Sequence, residues 1–142
     1  MEQIMKAIVT YLNFDGKCRD AMQFYAKCLG AELQMSPFSD MPGNTAPEAK
    51  DRIMHARLTK GSTELLMASD TPPGMPFQQG NNVSVSVHCE SIQEIDSIFA
   101  ALSEKATVAM PLQDTFWGAR FGMLTDQFGV HWMFNFEHPK KA

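Results

Sequence analysis

Two segments carry the side chains best suited to chemistry. In RIMHARLT, residues 52–59, His55 and Arg57 stand two apart and alternate with Met54, Ala56 and Leu58. Residues two apart in a strand share a face. An imidazole is a tunable proton acceptor, and a guanidinium forks onto carboxylate or phosphate oxygens. Together they suit an anionic or oxygen-rich ligand, with His55 as the candidate catalytic base. The competing reading pairs Arg57 with a surface carboxylate and packs His55 under the long loop. The second segment is DTFWGARFGMLTDQFGVHWMF, residues 114–134, with two tryptophans, four phenylalanines and three glycines. Asp126 and Gly129 read as turn chemistry. Trp132, Phe134 and Phe136 alternate onto one core face. Trp117 beside Phe116 suits a ligand platform or a dimer interface.

Other chemistries find little footing. Cys18, Cys28 and Cys89 are odd in number and form no C-x-x-C, which points to a reducing compartment rather than a disulfide framework. Cys89 follows His88 directly, so their side chains take opposite faces. No G-x-S-x-G occurs, and no G-x-G-x-x-G opens a helix after a strand, which argues against a Rossmann-type cofactor site or a methyltransferase of that kind. The eleven methionines are scattered and read as core filling.

Composition narrows the partners. The 142 residues carry a net charge of −4 and a pI near 5.5, which disfavours nucleic acid. No window resembles a signal peptide or a membrane span, so the expected setting is cytoplasmic, with no membrane partner.

The elements that must position these residues follow from periodicity. AIVTYLNF, 7–14, reads as a strand. CRDAMQFYAKCL, 18–29, has apolar residues every three or four positions, and Gly30 sits where a left-handed cap would end that helix. AELQMSPF is extended again. Residues 39–50 read as a long loop, a candidate lid. RIMHARLT and TELLMAS form a hairpin about a Lys60-Gly61-Ser62 turn. VSVSVHC, 83–89, alternates Val83, Val85 and Val87 against Ser84, Ser86 and His88. Ser91 and Glu94 make a capping box for a second helix. Strands TVAMPLQ, ARFGMLT and VHWMFNF follow.

The fold class is therefore α+β: a single domain over 1–142, built from a βαβββ module at about 5–69, a linker at 70–82 and a second βαβββ module at about 83–137. Each module lays a helix on one face of a curved mixed sheet. The other face of each sheet then needs cover, and two such sheets set edge to edge, or against a second chain, would enclose a cleft. Alternation lists its lining: Tyr11, Asn13, His55, Arg57, Ser84, Ser86, His131, Met133 and Asn135, with Trp117 and Phe121 near the mouth. Apolar walls with a few fixed polar groups suit a small molecule.

These modules carry a resemblance. The helix end FY-x-K-x-LG (Phe24, Tyr25, Lys27, Leu29, Gly30), YLNFDG at 11–16, HARL at 55–58, TFWG at 115–118 and TDQFGVHWM at 125–133 resemble the PhnB-like branch of the vicinal oxygen chelate superfamily, which includes glyoxalases and bleomycin-resistance proteins. Metal-using members place His or Glu at four positions, and the resemblance aligns these with Val9, Met67, Asn82 and Met133. None of them is His, Asp or Glu, so the resemblance implies no metal at the usual site and no cofactor. A displaced site would draw on His55, His88 and His131. Relatives in this branch are often labelled ubiquinone-pathway methyltransferases.

The leading expectation is a homodimeric small-molecule-binding protein without the usual metal, sequestering a ligand or running metal-free chemistry through His55. The alternatives are a divalent-metal lyase, isomerase or dioxygenase with displaced histidine ligands, and a non-catalytic interaction protein that uses the aromatic stretch.

Overall fold

A computed structural model describes residues 5–40 and 51–140. The chain divides into two compact units, 1–78 and 79–142. The first has β1 (Tyr11–Phe14), α1 (Cys18–Leu29), β2 (Glu32–Pro37), β3 (Ile53–Lys60) and β4 (Thr63–Asp70). The second has β5 (Val85–His88), α2 (Ile92–Leu102), β6 (Thr107–Asp114), β7 (Ala119–Thr125) and β8 (His131–Glu137). The class is α+β with two βαβββ halves. Strand orders are β1-β4-β3-β2 and β5-β8-β7-β6, the same topology twice. In each sheet the first strand runs parallel to its neighbour and the rest are antiparallel. Neither sheet closes.

In the first unit, α1 buries Cys18, Ala21, Met22 and Tyr25 against Phe14, Ala56, Leu58, Leu66 and Ala68 of the sheet. Gly30 takes the left-handed conformation, φ 61°, and ends the helix as its position predicts. The start of α1 has a cap no local pattern announces. Lys17 offers no side-chain cap. Asp70, at the end of β4 and 2% exposed, accepts the Gly16 and Cys18 amides on Oδ1 at 2.7 and 3.0 Å and the Ile53 amide on Oδ2 at 2.8 Å. A carboxylate placed in the linker by sequence therefore fastens three segments of the first unit.

In the second unit, α2 lays Ile95 and Leu102 over Leu124, Trp132 and Phe134. Phe99 meets Phe134 edge to face at 5.0 Å. Ser91 caps the helix, accepting the Glu94 amide at 3.0 Å, while the Glu94 carboxylate closes on the Glu90 amide at 3.0 Å. The box forms as read, displaced by one residue on its return bond.

The larger departures from the sequence reading fall at three places. The first strand spans Tyr11–Phe14 rather than 7–14, because that is where β4 pairs with it. Val83 and Ser84 precede β5 and are exposed. Phe38–Asp40 forms a short 3-10 turn, and residues 41–50 of the candidate lid lie outside the described residues.

Candidate functional site

Each sheet has one face under its helix and one that the helix leaves uncovered, and register decides what meets on the uncovered face. In the first sheet, Tyr11 stands opposite Met67, Met67 opposite Arg57, and Arg57 opposite Gln34. One row thus crosses all four strands. In the next row, His55 faces Ser36 and Asn13 faces Ser69. The structure therefore brings Tyr11, Asn13, His55 and Arg57 onto one face, as alternation predicts. It adds Gln34, Ser36 and Ser69, which strand pairing supplies and a single strand's pattern does not.

Two of these side chains have few partners among the described residues. The His55 ring lies 6.3 Å from the Tyr11 ring, tilted by 49°, and makes no hydrogen bond among the described residues. Arg57 Nε sits 2.9 Å from Glu64 Oε1, yet its N–H is not aimed at that oxygen, and Nε is buried without a hydrogen bond. The contact is ionic, between side chains 43% and 34% exposed, and worth about 0–1 kcal/mol. The surface-carboxylate reading of Arg57 is thus met in part, while its two terminal nitrogens stay unbonded among the described residues. Arg52 and Arg120 contrast with it: they are held by Asp15 at 2.8 Å and by Asp96 at 2.9 Å.

The second sheet's uncovered face is chemically different. Ser86, Met133, Met123 and Met110 form one row across β5, β8, β7 and β6. His88, Asn135, Phe121 and Gln113 form the row on one side. His131 and Thr125 lie on the other, with Nδ1 and Oγ1 2.8 Å apart. Trp117 stacks edge to face on Phe121 at 6.1 Å and on Phe116 at 5.1 Å. The core-filling reading of the methionines holds for buried Met22. It fails for Met110, Met123 and Met133, which are half-buried on this face. Ser84 sits just ahead of the strand rather than in it.

The aligned positions for a divalent ion are a hydrocarbon, two thioethers and an amide: Val9, Met67, Met133 and Asn82. That donor set does not fit a hard or borderline divalent cation. The displaced set fares no better. His88 pairs with Asn135, four positions along β8 from His131, which separates them by about 13 Å. His88 is also within hydrogen-bond reach of Ser86, at 3.1 Å. No group of three His, Cys, Asp or Glu side chains that could hold a metal occurs among the described residues.

The buried carboxylates are already spoken for. Asp126 accepts the Phe128 and Val130 amides on Oδ1 at 2.8 and 3.0 Å and the Trp132 indole on Oδ2 at 2.8 Å. Its turn role is confirmed and extended into the core. The two buried thiols are no better placed as nucleophiles. Burial pushes Cys18 up to about 12, helped by Asp70. Burial, then Glu94, pushes Cys89 up to about 11. A protonated thiol is a weak nucleophile.

Comparison with known proteins agrees with this architecture. The profile of the family described as 3-demethylubiquinone-9 3-methyltransferase matches residues 6–134. Protein YjdN of Escherichia coli (strain K12) is 31% identical over 136 residues, spanning 88% of this chain and 91% of that protein. Protein PA1353 from Pseudomonas aeruginosa is 48% identical with TM-score 0.84, covering 93% of this chain and 98% of that one. The PhnB protein from Bacillus cereus is 30% identical with TM-score 0.75, over 92% and 99%. A glyoxalase/bleomycin resistance protein/dioxygenase family enzyme from Burkholderia phytofirmans PsJN shares the fold at 14% identity and TM-score 0.62, over 92% and 99%. On the twice-repeated βαβββ topology and these matches, the chain belongs to the PhnB-like family described as 3-demethylubiquinone-9 3-methyltransferase, within the glyoxalase/bleomycin resistance fold.

Proposed function

We propose that this protein binds a small anionic or oxygen-rich molecule on the uncovered face of the first sheet, without the superfamily's usual divalent metal. One observation carries the reading: Arg57, paired with Glu64 through Nε alone, shares a strand face with His55, which makes no hydrogen bond among the described residues, with Tyr11 and Asn13 alongside. Arg57 supplies charge and a fork. His55 supplies a donor or a proton acceptor. Tyr11 supplies a ring wall and a hydroxyl. Ser86, Asn135, His131, Phe121 and Trp117 form the corresponding face of the second unit, and Ser84 borders it. The methyl transfer in the family description gains no support from the fold, since neither sheet is a doubly wound parallel sheet with a glycine-rich loop opening a helix.

The test is a thermal-shift and calorimetric screen of small carboxylates, phosphonates and aromatic acids. A hit should bind Arg57→Gln about 10- to 100-fold more weakly, the loss of one charge-assisted hydrogen bond. His55→Ala should weaken it too. If both variants bind the hit as the parent does, the assignment of this face is wrong.

A homodimer in the cytoplasm is part of the same proposal. Phe116 is 97% exposed and Trp117 57%, and an aromatic pair left in water is well suited to a partner surface. Sedimentation at micromolar concentration should give a dimer, and Phe116→Ser should shift it toward monomer. A monomeric parent protein would end this part of the reading.

A further inference from the structure

Three methionines far apart in sequence become neighbours in the second sheet. Met110 stands opposite Met123, and Met123 opposite Met133, on adjacent strands β6, β7 and β8, about 5 Å apart. The flanking positions point the other way. A Cβ on Gly122 would lie 3.0 Å from the Phe99 ring of α2, and Phe134 packs on that same ring. Strand alternation therefore sends Met123 and Met133 to the uncovered face, and all three methionines are half-buried.

We propose that this row is a binding site for a soft monovalent d10 cation, copper(I), with His131 as a further ligand. Thioether sulfur suits copper(I) and is a poor ligand for hard divalent ions. The unbranched methionine side chain has three rotatable bonds, so sulfurs from neighbouring strands can converge without moving the backbone. His131 stands two residues before Met133 on the same face, and its Nδ1 lies 2.8 Å from Thr125 Oγ1. When Nδ1 carries the proton and donates it to that hydroxyl, the Nε2 lone pair is left for a metal, the arrangement that commonly orients ligating imidazoles. The rows around the methionines hold Ser86, His88, Asn135, Phe121, Gln113 and Thr125. None is an acid or a thiol, and a neutral ligand set matches a monovalent ion better than a divalent one. Only Met133 coincides with a usual metal position of the superfamily, so the site is a different one.

The probe is silver(I), the air-stable counterpart of copper(I), added in chloride-free buffer to the whole protein labelled with methyl-13C methionine. A Cys28→Ser background removes the half-buried thiol as a competing ligand. One equivalent should shift the methyl signals of Met110, Met123 and Met133 and leave that of Met22 in place. Met123→Leu keeps the apolar volume and removes one sulfur, so silver should bind at least about 10-fold more weakly with the melting temperature unchanged. If Met123→Leu unfolds, Met110→Leu on the edge strand serves the same purpose. The proposal is overturned if the three signals stay put, or if a folded leucine variant binds silver as its parent does.

Discussion

Replacing Asp126 by Asn separates a structural carboxylate from a catalytic one. The wild-type side chain holds two backbone amides on one oxygen and the Trp132 indole on the other. In the variant, the amide oxygen can keep the Phe128 and Val130 N–H groups. Its NH2 group then faces another donor, the Trp132 indole N–H, in a side chain only 1% exposed. An orphaned buried donor costs about 1–3 kcal/mol, and the two remaining bonds lose their charge assistance, so the sum is about 2–4 kcal/mol. Asp126→Ala orphans all three donors and should cost about 3–5 kcal/mol. The assay is urea denaturation followed by fluorescence in a Trp117→Phe background, which leaves Trp132 as the sole reporter. A second step checks the mechanism. In a Trp132→Phe background the indole donor is gone, so Asp126→Asn should cost at least about 1 kcal/mol less. A loss below about 0.5 kcal/mol, within the ordinary surface range, would refute the assignment of Asp126 to the fold.

Other expectations concern packing and the thiols. Gly122→Ala would set a Cβ 2.9 Å from Leu112 and 3.0 Å from Phe99. It should cost about 1–3 kcal/mol by overpacking, and an unchanged denaturation midpoint would contradict the close packing of α2 there. An aromatic disulfide reagent at pH 8 should label half-buried Cys28 in the native protein and reach Cys18 and Cys89 only after unfolding. Native labelling of Cys18 would show that its burial is wrong. Both buried thiols are held protonated above the ordinary value of 9.0, at about 12 and about 11. The native state therefore binds these protons more tightly than the unfolded chain does. Their contribution is intact below pH 9 and is lost as pH rises from 9 through 11 and 12. Cys89→Ala should flatten the alkaline fall in denaturation midpoint, and an equally steep fall in that variant would count against the linkage.

Much of the local architecture was legible from residues alone, because it rests on interactions within a few positions. Gly30 ends α1 because only a residue without a Cβ enters the left-handed region cheaply. Ser91 starts α2 because its hydroxyl reaches an amide three residues on. Alternation placed His55 with Arg57, and Trp132 with Phe134, on their respective faces, since the period of a strand is two. What sequence left open is everything decided by which strand lies beside which. Asp70 reads as the start of a linker, yet it caps a helix 52 residues away through Cys18, and no local pattern encodes that contact. The methionines read as scattered core filler, yet strand register gathers Met110, Met123 and Met133 into one row, while two bulges in β6 shift its pairing along the way. Arg57 reads equally as an anion site or as half of a surface pair, and tertiary pairing gave it a carboxylate 2.9 Å from an Nε that makes no hydrogen bond among the described residues. Periodicity sets the face a side chain occupies. Its neighbours on that face come from long-range hydrogen bonding between strands, and the chemistry of this family member is set there.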